Sequence, residues 1–66
     1  MNKNLLLAKM LEHNKTAEEL CKACEISLSA FNRKVNGRSQ FKQKEISVIM
    51  KALELTTEDV TRIFFR

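Results

Sequence analysis

The sequence predicts an all-α domain of five short helices, and three observations carry that prediction. Apolar residues recur at i, i+3, i+4 and i+7 in more than one segment, which gathers them on one stripe of a helix. Thr16, Ser27 and Thr56 stand just before such segments, in positions suited to capping a helix start. The 66 residues include no Pro and a single Gly, so the turn chemistry that a sheet requires is missing. A chain this short forms one domain, 1–66, and buries only about 60% of its unfolded surface. Its core is therefore modest, and no active-site cleft of useful size is expected.

The first helix is expected from Asn4, as its cap, to about His13. Leu7, Met10 and Leu11 would face inward and Lys3, Lys9 and Glu12 outward, with Asn14-Lys15 closing the helix because Asn tolerates the left-handed conformation. The second helix begins at a capping box, in which Thr16 accepts a first-turn N–H and Glu19 reaches back. Ala17, Leu20, Cys21 and Cys24 then form its buried stripe. The stripe breaks at Glu25-Ile26-Ser27. Ser27 is a good cap for a third helix running through Val35, which Asn36-Gly37 stops. Phe31 and Val35 share its inner face and Ile26 adds to it from the turn, which leaves Leu28, Ser29, Asn32 and Arg33 on the outside.

Arg38 to Phe41 reads as an irregular loop anchored by Phe41, since a large aromatic ring is seldom left in water. A fourth helix from about Lys42 to Leu53 carries Ile46, Ile49, Met50 and Leu53 on one stripe. Lys42 and Lys44 in its first turn oppose the helix dipole, a conflict that points to an anion such as a phosphate. Thr56 and Asp59 form a second capping box and open a fifth helix with Val60, Ile63 and Phe64 on one face. Of Phe64 and Phe65, either one ring packs inward and the other serves a partner, or both close the core.

The net charge is +4, and its placement is more informative than its sum. Residues 1–32 balance four Lys against four Glu; residues 33–44 hold Arg33, Lys34, Arg38, Lys42 and Lys44 with no acid; residues 45–66 are net −1. The excess lies in one stretch, which is either a solvated loop or the place where a duplex backbone would run beside the third helix. The apolar run near the start, Leu5-Leu6-Leu7, is too short for a membrane span or a signal peptide, so the protein is expected to be intracellular, in the cytoplasm. Cys21 and Cys24, with His13 as the one histidine, do not supply four zinc ligands, and no metal or other cofactor is expected. His13 has no obvious nucleophile or carboxylate partner, which argues against an enzyme.

The pattern T-x-E-E-L-C, I-S-x-S-A-F and N-G within five helices resembles the helix-turn-helix domain of phage repressors and Cro-type regulators, the class of the bacterial xenobiotic-response-type regulators. The run SAFNRKVNGRSQFKQKEI followed by LELTTEDVTRIFF is similar to a subset found in small prophage-encoded repressors of Gram-positive bacteria. The similarity covers nearly the whole chain. It implies a lambda-repressor-like fold with the helix-turn-helix formed by helices 2 and 3. It also implies phosphate contacts from Thr16 and Ala17 and from Asn36, Arg38, Ser39, Lys42 and Lys44. The sequence departs from the family pattern at Glu25, where Gly is usual, so a non-Gly residue must take a left-handed or neighbouring conformation there. It also departs at Lys34, where an aliphatic residue is common, which leaves Lys34 free to point toward a phosphate.

The expected function is therefore that of a sequence-specific, non-enzymatic transcription regulator with its third helix in the major groove of double-stranded DNA. Leu28, Ser29, Asn32 and Arg33 are its expected base contacts. By resemblance it would bind a palindromic operator as a homodimer. The alternative is a protein-interaction module on the same fold, an antirepressor-like or polymerase-binding protein with only non-specific DNA affinity.

Overall fold

The computed structural model describes residues 1–65 as five helices, α1 (Lys3–Glu12), α2 (Ala17–Cys24), α3 (Leu28–Val35), α4 (Gln43–Ala52) and α5 (Thr57–Phe64), with no strand among the described residues. The class is all-α. No helix among them is long and apolar enough to cross a membrane.

Four of the five helix starts are closed by their own N-cap side chain. Thr16 and Thr56 accept from the N–H of Glu19 and Asp59, whose carboxylates accept in return from the cap N–H groups. Ser27 Oγ accepts from Ala30 N–H at 3.1 Å. In α1 the cap is Asn2 and not Asn4: Asn2 Oδ1 accepts from Leu5 N–H at 3.1 Å, and Asn4 lies inside the first turn. Replacing Ser27 with Ala is expected to cost about 1 kcal/mol, a fall of roughly 4–8 °C in the melting temperature of a domain this small. Thermal unfolding followed by circular dichroism checks it.

The phase of α1 also differs from its expected one. Leu6 is 0% exposed and Met10 buried, whereas Leu7 and Leu11 are 44% and 80% exposed. The helix is turned so that the Leu6–Met10 pair faces inward. Its orientation is set at its start, where Asn2 N–H donates to the Ile63 carbonyl at 2.8 Å and lays α1 against α5. Lys9, expected outside, is half-buried and its ammonium lies 3.7 Å from the Asp59 carboxylate.

One core collects the inward stripes: Leu6, Met10, Leu20, Cys21, Phe31, Val35, Ile49, Leu53, Leu55 and Ile63. Phe41 and Phe64 pack against it edge to face, the Phe41 ring lying 5.8 Å from Phe31 and 5.4 Å from Phe64. The loop before α4 is thereby anchored, and Phe64 turns inward while Phe65 remains exposed. Three helix ends are closed by non-glycine residues at positive φ, Asn14 at 55°, Glu25 at 60° and Glu54 at 50°. Gly37, at φ 82°, takes the same role after α3 without the steric cost of a Cβ.

Candidate nucleic-acid interface

The α2–α3 pair is built on a short turn. Glu25, left-handed at the end of α2, donates its N–H to the Lys22 carbonyl at 3.1 Å, and Ile26 N–H reaches the Cys21 carbonyl at 3.0 Å. These bonds satisfy the carbonyls that the end of a helix leaves open, and Ser27 starts α3 at once. Phe31 and Val35 pin the inner side of α3 to the core. The outer side therefore carries Leu28, Ser29, Asn32 and Arg33, all exposed and spaced i, i+1, i+4 and i+5 so that they form one row. Leu28 is 45% exposed, unusual for leucine in a domain with a small core.

The segment after α3 continues this row with polar side chains. Asn36, Arg38, Ser39, Lys42 and Lys44 are all exposed, and Gln40 and Gln43 stand among them. Lys3, from the other end of the sequence, joins the same edge: its ammonium donates to Asn36 Oδ1 at 3.0 Å. Nothing in the local sequence of either residue signals this meeting, which joins positions 33 apart. Thr16 and Ala17 lie at the start of α2. There the Thr16 hydroxyl and N–H are engaged with Glu19, and Ala17 is partly packed on the core. The hydrogen bond from Thr16 N–H, with the side-chain bond and nearby Lys15 adding to it, holds the Glu19 carboxyl below its ordinary range.

Lys34 does not have the expected free ammonium. Its Nζ donates to Glu45 Oε1 at 2.6 Å and lies 5.8 Å from the centre of the Phe41 ring. The two side chains are only 11% and 7% exposed. Lys34 stands three residues after Phe31, so it shares the inner flank of α3, and a lysine is buried there because an acid meets it. Glu45 also accepts from Lys42 N–H at 2.9 Å, which places a carboxylate over the first turn of α4. The conflict read from Lys42 and Lys44 is thus partly offset by an acid in the same turn. Burial raises the Glu45 pKa, but the bonds from Lys34 and Lys42 outweigh it and the carboxyl stays below its ordinary range.

Cys21 is buried and Cys24 partly so, both as free thiols. The Cys24 thiol donates toward the Glu45 carbonyl at 3.8 Å. Burial raises both thiol pKa values, and the Glu45 carboxylate adds to the rise at Cys24, so neither is an activated nucleophile. His13, expected to lack carboxylate partners, lies between two of them, with Nε2 3.5 Å from Glu12 and Nδ1 3.7 Å from Glu54. It closes the end of α1 near the turn at Glu54 and stands outside the row on α3.

The family described as "Protein of unknown function (DUF739)" matches residues 2–66. The chain belongs to this family. No curated protein and no solved structure matches it. The DUF739 match takes in the α2–α3 pair, the basic segment and the Lys34–Glu45 pair together, so all of them fall within one family unit.

Proposed function

We propose that the chain is a sequence-specific double-stranded DNA-binding regulator of transcription, a lambda-repressor-like domain in which α2 and α3 act as the helix-turn-helix. The supporting observation is the exposed row of Leu28, Ser29, Asn32 and Arg33 on a helix whose opposite side is held by the core, bordered by a segment with bases and no acid. A helix lying in the major groove needs such a row to read base edges, and the flanking cations meet the phosphates on either side. Leu28 meets thymine methyls, Ser29 and Asn32 offer hydrogen bonds, and the planar fork of Arg33 suits guanine O6 and N7. Asn36, Arg38, Ser39, Lys42 and Lys44 hold the backbone, with backbone groups near Thr16 and Ala17 on the other side. Lys34, being paired internally, is left out of that set.

One copy of so small a domain makes a limited footprint, so two copies on a palindrome, about one helical turn apart, supply the affinity that regulation needs. The reading makes the protein non-enzymatic, without a cofactor, and cytoplasmic, where a bacterial operator is found.

The test starts from a binding site selected among random duplexes and compares it with scrambled DNA by fluorescence anisotropy. Arg33→Ala is expected to weaken binding to the selected site by about 1–3 kcal/mol and to leave scrambled DNA nearly unaffected. Lys42→Ala is expected to weaken both about equally and to lower the salt slope by roughly one. Equal loss on both duplexes with Arg33→Ala assigns that residue to a phosphate and base reading to Ser29 and Asn32. Uniformly weak binding to every duplex by the unaltered protein favours a protein-interaction module instead.

A further inference from the structure

Glu45 is 6% exposed and is the buried charged residue of this domain. It touches three things at once. Its Oε1 accepts from Lys34 Nζ on α3 at 2.6 Å and from Lys42 N–H at the mouth of α4 at 2.9 Å. The next residue, Ile46, is part of the buried side of α4. The ammonium it binds also lies over Phe41, whose ring is wedged between Phe31 and Phe64. The segment 36–41 is therefore held at both ends by one carboxylate: at one end through Lys34, at the other through the backbone of Lys42.

A buried ion pair is a poor source of stability, because desolvation of the two charges offsets most of their attraction. An apolar pair of similar shape would fill the same space at no such cost. What an apolar pair cannot do is fix direction: hydrogen bonds at 2.6 and 2.9 Å set the rotation and spacing of α3 relative to α4, whereas methyl and methylene groups pack in several registers.

We infer that Glu45, acting through Lys34 and the Lys42 N–H, is a positioning residue that sets the register between the row on α3 and the cations at the mouth of α4. This inference rests on the DNA-binding reading above, since it assigns the two groups to base edges and backbone of the same duplex. A duplex is a rigid partner with fixed distances between a base edge and its flanking phosphates. A protein surface that reads one while holding the other needs its own spacing fixed to within a fraction of an ångström. The pair contributes no net charge, so its removal leaves the general attraction for DNA intact and acts on discrimination alone.

The experiment is the double variant Lys34→Met, Glu45→Met, in which two unbranched apolar side chains replace the pair. Three quantities are read: the melting temperature, affinity for the selected duplex, and affinity for scrambled duplex at equal salt. Amide hydrogen exchange across residues 36–41 is followed in the absence of DNA. The expected result is a folded protein melting close to the unaltered one, with scrambled-duplex affinity within about twofold and selected-duplex affinity lowered by at least about fivefold, the loss of one base contact. Exchange is expected to quicken in 36–41 while α1 and α5 keep their protection. A folded double variant with the same preference and the same exchange pattern overturns the inference. So does a double variant that fails to fold, which would make the pair a structural support. If the unaltered protein itself shows no preference among duplexes, the DNA-binding reading fails first and takes the positioning role with it; a preference retained only in the variant's parent separates the two.

Discussion

Raising the salt concentration from about 50 to about 200 mM is expected to weaken binding to DNA by roughly 10³–10⁴-fold. Arg38, Lys42 and Lys44 are exposed cations at the edge of α3, Arg33 stands on α3 itself, and Lys34 is removed from the count by Glu45. Two copies then meet on the order of 6–8 phosphates, and each phosphate contact releases close to one condensed counterion, which gives a log–log slope of magnitude about 5–7. Titrations at four or five salt concentrations measure that slope directly. A slope near half this magnitude would mean that one copy binds alone. Affinity that hardly responds to salt would remove the phosphate backbone from the interface, and the DNA-binding reading with it.

Replacing Cys24 with Asp is expected to leave the domain largely unfolded at 25 °C. The thiol is partly buried and directed toward the Glu45 carbonyl, beside the Glu45 carboxylate and the Lys34 ammonium. An aspartate there is a second acid competing for one lysine, and breaking a buried pair in this way costs about 3 kcal/mol, taken at the low end because the site is not fully closed. A single core of this size supplies only about 3–5 kcal/mol in total. Cys21→Ala, by contrast, removes one sulfur atom from the core and should cost about 1 kcal/mol. Urea unfolding of the two variants beside the unaltered protein separates these outcomes. A Cys24→Asp protein that unfolds at nearly the unaltered urea midpoint would mean that the position is open to water. Chelator and reductant are expected to leave the unaltered protein's transition where it is.

Much of this architecture was readable before any coordinates. The capping residues Thr16, Ser27 and Thr56, the stripes of α2 and α4, the left-handed Glu25 and the inward Phe41 follow from local spacing and turn chemistry, which act within a few residues. The phase of α1 did not follow, because Leu5-Leu6-Leu7 and Met10-Leu11 offer apolar residues on nearly every side. Two stripes were available there, and the choice between them was made by the bond from Asn2 to Ile63, a contact with the far end of the chain. Lys34 was misjudged for a related reason. Charge type suggested the outside, while its spacing from Phe31 already put it on the inner flank, and the deciding partner, Glu45, lies 11 residues on. At the candidate interface, the row on α3 was legible from helical geometry, and the approach of Lys3 to Asn36 was not.

The bond between Asn2 and Ile63 also fixes where the chain enters and leaves its globule. Met1 and Phe65 line the same shallow depression as Lys34, Gly37, Ser39 and Phe41, next to the basic segment. Anything attached at either end, whether an affinity tag, a fluorophore or a tether to a surface, would emerge beside the cations proposed to hold DNA. An acidic tag there would act as a competing polyanion, and a bulky one would screen the groove-facing helix. Reporters for binding measurements are better carried by the DNA, and the protein is best compared with and without its tag before any affinity is interpreted.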